Sequence, residues 1–184
     1  PLVLTRLAWP ELMVRRGVTP AIAKTALRRD TSIIGAMLLR LGYADGLLLG
    51  TSGLYAEHLG VIRDLIGKRS DVHTLGAMNY LMLPGRSLFI CDTHVNQDPS
   101  AQEIAEITLM AAEQVRRFGV QPKVALLSHS NFGSSPSASA RKMSRAASLI
   151  DAMSAGELEV DGEMHGDAAL SEEFRRDANP NSVL

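Results

Sequence analysis

At 184 residues the chain is long enough for one ordinary domain or two small lobes, and a hydrophobic content of 46% is sufficient for a buried core. Its 19 basic and 20 acidic residues are well mixed and nearly cancel, and only 4% of residues are aromatic, so neither a basic face nor a stacking platform for DNA or RNA is expected. No apolar run reaches the ~18–20 residues of a membrane-spanning helix, and residues 1–10 lack the charged start and long apolar centre of a secretory signal. A cytoplasmic protein with no membrane or nucleic-acid partner is the expectation.

Residues 1–10, ending at Trp9-Pro10, are compatible with a strand, a helix or a frayed edge, and the proline at position 1 points to a chain that begins inside a larger protein. Thr19-Pro20 reads as a cap followed by a first-turn proline. Ile22, Ala26 and Leu27 then share a helical face up to Arg28-Arg29-Asp30. A second helix carries Ile34, Met37, Leu38 and Leu41, with Gly42 placed to end it in a left-handed conformation. The run from Asp45 to Gly50 reads as a buried strand that opens into the small polar loop Thr51-Ser52-Gly53 ahead of a helical stretch. Arg63, about three helical turns farther on, is within reach of an anion, although a solvated helix arginine is the commoner case.

Thr74–Leu83 and Ser87–Asp92 are extended apolar runs joined by Pro84-Gly85-Arg86, which predicts an antiparallel hairpin and hence a mixed sheet. Cys91, the single cysteine, reads as a small core residue and not a nucleophile. Asp98-Pro99 opens a helix with Ile104, Ile107, Thr108, Ala111, Val115 and Phe118 on one face. Glu113 is spaced to pair with Arg117, and Gly119 closes the helix. Glu103 and Glu106 on its outer side read as a solvated face favourable near a helix N-terminus.

Val124–Leu127 lacks polar alternation and predicts a strand covered on both faces. Between Ser128 and Ser139 follow six serines, one glycine and one proline, which allow tight bends and convergent hydroxyls and amides. Pro136 fits a first helical turn with Ser135 as its N-cap, and Arg141, Lys142 and Arg145 follow. Strand, polar loop, helix start and cations are compatible with a phosphate site; a plain capping loop is the competing reading, and no P-loop fingerprint is present. After a helix over Ala138–Met153 and a short strand at Leu158–Val160, Asp161, Glu163, His165 and Asp167 alternate at every second position. That spacing suits metal ligands or an acid–base pair, while the flanking glycines favour turns.

LLSHSNFGSSPSASARKM together with VDGEMHGDAAL resembles the phosphate acetyl/butyryltransferase-type region at the C-terminal end of bacterial NADP-dependent malic enzymes. RRGVTPAIAKTALRRDTSIIGAMLLRLGYADGLLLGTSG is similar to that region's approach to its first site loop. DTHVNQDPSAQEIAEITLMAAEQVRRFG is similar to its strand and following helix, so the resemblance runs from about residue 11 to residue 184. The SHSNFGSS and DGEMHGDAAL blocks are those of the malic enzyme branch.

This resemblance implies a hybrid parent. Its malic enzyme part, using NADP and a divalent metal (Mg or Mn), decarboxylates malate oxidatively to pyruvate, and a phosphotransacetylase-like part follows in the same chain. It implies an α/β fold of two lobes, like isocitrate and isopropylmalate dehydrogenases, with residues 1–72 part of the first lobe and 73–184 the second. The ligand would be acetyl-CoA or acetyl phosphate. Ser128, Ser130, Gly133, Ser134 and Ser135 match the family's Ser/Gly loop at the cleft, Thr51 and Ser52 its earlier loop, and Arg63 falls near an arginine that holds the substrate anion. True transferases carry a Ser-Arg pair and an Asp base close to their C-terminus, which this sequence does not reach at Asn181-Ser182-Val183-Leu184. The expectation is therefore an acetyl-CoA-responsive regulatory and oligomerisation module, with no catalytic residue or metal ligand of its own and a homodimer or larger assembly covering its apolar surface. The alternative is an active phosphate acetyltransferase completed by residues after 184.

Overall fold

A computed structural model describes residues 17–184; the readings of residues 1–10 lie outside them. The chain divides into two compact units, the first ending at Arg69 and the second running from Ser70 to Leu184.

In the first unit the local signals set the helices. Helix α1 (Pro20–Arg29) has Thr19 as N-cap, its hydroxyl accepting from Ile22 N, and proline in the first turn. Asp30 ends α1 and caps α2 (Thr31–Arg40) by accepting from Ser32 N. Gly42, in the left-handed region, lets Gly42 N and Tyr43 N return to the carbonyls of Leu39 and Leu38. Ala23, Leu27, Ala36, Met37 and Leu65 form the core with helix α3 (Tyr55–Leu65), and the expected face of α1 is rotated, because Ile22 is exposed and Ala23 buried. The strand expected over Asp45–Gly50 is not formed. A strand needs a laddered partner, and none exists among the described residues of this unit; Leu47 drops onto the core while Leu48 stands fully exposed.

The second unit is built on two separate two-stranded sheets, so the mixed sheet expected from the hairpin is replaced by one antiparallel and one parallel pair. Strands β1 (Met78–Leu83) and β2 (Arg86–Cys91) pair antiparallel with Leu83 opposite Arg86, which leaves Pro84-Gly85 as the turn. Tyr80, Phe89 and the half-exposed Phe118 cluster with ring centroids 4.8–5.6 Å apart. Cys91 is exposed and not a core residue; desolvation around its sulfur, and then the charge of Asp92, push the thiol pKa up, which keeps the reactive thiolate scarce.

Helix α4 (Ala101–Arg117) begins two residues later than Asp98-Pro99 would place it, because Ser100 and Glu103 form a reciprocal capping box. The Glu113–Arg117 pair forms at 2.9 Å. Ala105 and Ala112 pack with Ala146 and Ile150 of helix α5 (Ala138–Met153) and with Leu126 and Leu158 in the second core. Strands β3 (Lys123–Leu127) and β4 (Glu159–Met164) lie parallel, the geometry that requires a crossover, and α5 supplies it. With a single partner strand β3 is not enclosed on both faces as expected: Leu126 is buried, but Leu127 is 52% exposed. Two short helices, α6 (Gly166–Leu170) and α7 (Glu172–Ala178), complete the unit. No helix among the described residues is long and apolar enough to cross a membrane.

Two carboxyl groups tie the segment before β1 into this unit. Glu106, expected on a solvated face, instead accepts from His73 N (2.8 Å) and Thr74 N (2.7 Å). Asp92 accepts from Ala77 N, Val95 N, Asn96 N and Asn96 Nδ2, and Asn96 Nδ2 also donates to Leu75 O. Desolvation works upward on the Asp92 pKa, but the hydrogen bonds from Ala77, Asn96 and Val95 together outweigh it and hold the carboxyl below its usual value. A depressed carboxyl pKa contributes stability that is complete above the unfolded-state value and is lost as pH falls through the lower folded-state value. Denaturant titrations from neutral to acid pH are thus expected to show wild type more stable than Asp92→Asn at neutral pH, with the gap closing below about pH 4. A gap independent of pH would contradict the assignment.

Gly162 has φ +133°, and a Cβ there would lie 2.7 Å from the carbonyl oxygen of Leu126. The parallel pair therefore approaches closely at this point only because no side chain intervenes. Gly162→Ala is expected to lower stability by about 2 kcal/mol or more, read as a drop in the urea midpoint at unchanged m-value.

Candidate functional site

Past Leu127 the loop folds back along β4. Ser128 N donates to Met164 O (2.9 Å) and Phe132 N to Glu163 O (2.7 Å), with Phe132 itself in the left-handed region. The strand register passes from Leu126 opposite Gly162 to Leu127 opposite Met164, so Glu163 is an extra, bulged residue without a partner on β3. The bulge gives Glu163 to the loop. Its Oε1 accepts from Ser130 Oγ (3.0 Å) and Gly133 N (2.7 Å), and both Glu163 and Ser130 are 1% exposed.

The hydroxyl protons can be followed outward from there. Ser130 has one proton and gives it to Glu163, so its 3.1 Å contact with Ser134 Oγ is donated by Ser134. Ser130 Oγ also accepts from Ser135 N (3.1 Å), and Ser134 Oγ accepts from Asn131 N (3.0 Å). Ser130 N reaches Ser128 Oγ and Ser134 N reaches Asn131 O. Most loop amides are thus closed within the loop or on Glu163 and are not gathered around an outside anion, unlike a phosphate-binding nest.

The sequence places the cap of α5 at Ser135, but the cap is Ser137, whose Oγ accepts from Ala140 N; Ser135 Oγ instead accepts from Ser137 N. Ser135 N is held by Ser130 within the turn, and the helix starts one bend later. His129 Nε2 lies 3.1 Å from Ser137 Oγ and 3.5 Å from Ser135 Oγ. Of the three following cations, Arg141 donates to the carbonyl of Pro136 and Lys142 pairs with Asp98, while Arg145 is exposed on α5.

Ser128, Ser130, Gly133, Ser134 and Ser135 are therefore brought together in one loop. Thr51, Ser52 and Arg63 belong to the other unit. There Thr51 and Ser52 are exposed in a loop pinned by His58, which donates from Nε2 to Ser52 O (2.7 Å) and takes the Ser32 hydroxyl on Nδ1 (2.9 Å). Arg63, in the last turn of α3, is largely exposed and contacts Asp64 at 3.4 Å.

The alternating acids do not converge on a metal. Among the described residues no group of three His, Cys, Asp or Glu side chains is arranged to hold one. Asp161 accepts from Ser182 Oγ and Val183 N, Glu163 holds the loop, Asp167 accepts from Ala168 N, and His165 meets Asn131. Glu163, Asn131 and His58 are absent from the site residues expected from sequence. For Glu163 the signal was its place in the DGEMHGD alternation; for His58 and Asn131 the contacts to Ser32 and His165 span 26 and 34 residues and leave no local pattern.

Ser130→Ala removes a donor to the buried Glu163 and an acceptor for Ser135 N. It is expected to cost about 2 kcal/mol and to speed amide exchange over residues 130–135, whereas Ser139→Ala on the exposed face is expected to cost about 0.5 kcal/mol or less. Equal effects would remove Ser130 from its central position.

The phosphate acetyl/butaryl transferase family profile matches residues 6–184. The chain is 54% identical over 174 residues to the NADP-dependent malic enzyme of Escherichia coli and 47% identical over 173 residues to the NAD-dependent malic enzyme of Rhizobium meliloti; these alignments span 95% and 94% of this chain but 23% and 22% of those proteins. Among solved structures, a phosphotransacetylase from Streptococcus pyogenes superposes with a TM-score of 0.82 at 30% identity, covering 94% of this chain and 53% of that one. The chain thus spans about a quarter of the length of the malic enzymes it matches, and its α/β fold with small sheets is that of phosphotransacetylase structures. With profile, relatives and fold in agreement, this chain belongs to the phosphate acetyl/butaryl transferase family.

Proposed function

We propose that the chain is the phosphotransacetylase-like C-terminal part of a malic enzyme and acts there as an acetyl-CoA-responsive regulatory and assembly module. Its partner is the malic enzyme part of the same chain, where NADP and a divalent metal (Mg or Mn) serve the oxidative decarboxylation of malate; the two units are partial counterparts of the two lobes of an isocitrate dehydrogenase-like fold, and the whole works as a homo-oligomer in the cytoplasm. Similarity to malic enzymes over 95% of this chain supports the placement.

The observation that carries the binding role is the closure of the serine loop on buried Glu163. A loop fixed from beneath is pre-organised, so a ligand meeting the half-exposed hydroxyls of Ser128 and Ser135 and the exposed Ser134 need not order it. Acetyl transfer demands more: a base for the thiol and cations for the charge that develops on phosphate and carbonyl oxygens. Arg141 and Lys142 are already engaged by Pro136 and Asp98, which supports positioning over catalysis. Thr51, Ser52 and Arg63, in the first unit, are proposed as acetyl-CoA contacts in their own right. Control then requires acetyl-CoA to bind two states of the enzyme unequally.

In full-length malic enzyme carrying this region, malate oxidation is expected to respond to acetyl-CoA, and Ser128→Ala with Ser135→Ala to raise the acetyl-CoA concentration needed by about tenfold, the loss of one or two hydrogen bonds. Indifference of wild-type malate oxidation to acetyl-CoA, or a monomer in sedimentation, would sink the respective half of the proposal. Robust synthesis of acetyl phosphate from acetyl-CoA and phosphate would replace it with a working transferase.

A further inference from the structure

Asn131 and His165 meet through two contacts that together decide where a proton sits. Asn131 Oδ1 accepts from the backbone N–H of His165 at 2.7 Å. A backbone N–H can only donate, so the amide oxygen must lie on that side and Nδ2 on the other. Nδ2, which also can only donate, lies 3.3 Å from His165 Nδ1. Nδ1 is therefore the acceptor, and the neutral ring carries its hydrogen on Nε2.

Nε2–H has no acceptor among the described residues. His165 is half-buried, directly after Met164, whose carbonyl receives Ser128 N, so it stands at the carboxyl end of β4 beside the serine loop. Ligands of open α/β sheets collect at such strand ends. Asn131 belongs to the loop itself, its own N–H held by Ser134, so the network that closes on Glu163 also orients the imidazole.

We infer that His165 is a ligand-binding residue, a neutral donor that gives its Nε2–H to an acceptor oxygen of an acyl donor, with Asn131 as the residue that positions it. The inference rests on the acetyl-CoA reading for the class of ligand, but the proton assignment stands independently. Acetyl phosphate and acetyl-CoA share the acyl carbonyl and phosphoryl oxygens that such a donor recognises, and they serve as separate probes.

The test is nitrogen-15 spectroscopy of the histidine rings in this chain at mildly alkaline pH, followed by titration with each probe. Wild type is expected to show the Nε2–H form for His165, Asn131→Ala to show both neutral forms, and added probe to shift the Nε2 resonance. His165→Gln, which keeps a donor near that position, is expected to bind within about threefold of wild type, and His165→Leu about tenfold more weakly, the value of one hydrogen bond. An Nδ1–H form in wild type overturns the inference even if a variant fails to fold. So does an Nε2 resonance unmoved by both probes, or His165→Leu binding as wild type does. A chain that ignores acetyl-CoA but shifts with acetyl phosphate keeps the role of His165 and overturns acetyl-CoA sensing; one that binds acetyl-CoA with His165 unmoved does the reverse.

Discussion

The second unit depends on one buried contact, the carboxyl group of Glu163 under the amide of Gly133 and the hydroxyl of Ser130. A carboxyl group withdrawn from water is tolerated only when its oxygens find donors. The chain meets that requirement by a sequence of linked adjustments. Gly162 lets β4 approach Leu126, the bulge frees Glu163 from the ladder, and the loop turns through Phe132 and Gly133 so that donors reach Oε1. Once Ser130 is fixed, Ser134 and Ser135 are fixed on it, and α5 follows with its cap at Ser137. Strand register, loop shape and helix start are thus one coupled decision.

Elsewhere polar side chains replace apolar burial as the means of holding extended backbone. The hairpin β1–β2 is mostly exposed, with Met82 and Leu83 open to solvent and only the Tyr80, Phe89 and Phe118 group gathering its rings. What ties its base to the unit is Asp92 with Asn96 and, one step earlier, Glu106 on His73 and Thr74. A carboxyl group receiving several backbone N–H groups organises a loop whose amides have no sheet to join. The same device recurs at Asp161, which accepts from Gly162 N, Val183 N and the Ser182 hydroxyl; Asp30 uses a single backbone N–H, that of Ser32, where α1 passes into α2. Acidic residues that looked like a solvated surface or scattered ligands are largely the clamps of this fold.

For function, the serine loop is built from the inside outward. Its inner layer is the buried pair Ser130 and Glu163, onto which the N–H of exposed Gly133 closes; its outer layer, Ser128, Ser134 and Ser135 with Asn131 holding His165, is where the proposed ligand would be met. Sequence reasoning put all five loop residues at the site without separating these layers, because a hydroxyl that donates inward and one that faces outward are the same residue type. Only the distances to Glu163 tell them apart.

What the amino-acid sequence determined by itself was carried by neighbours within a few positions, although the caps read at Asp98 and Ser135 each fall two residues before the observed ones. Thr19-Pro20 and Gly42 bounded the first helices, Glu113 found Arg117 one turn away, Pro84-Gly85 turned the hairpin, and the Ser/Gly loop was placed between a strand and a helix. Such features are set by hydrogen bonds and φ preferences that close inside four or five residues. The tertiary structure alone decided which extended run became a strand, since Asp45–Gly50 has no laddered partner among the described residues and Val124–Leu127 has one in β4. It also turned Glu106 inward to residues 73 and 74 and Glu163 to a loop 30 to 33 positions away. A side chain's donors and acceptors are the same in every context; which of them is satisfied from across the chain depends on which backbone groups the folded packing leaves without partners of their own.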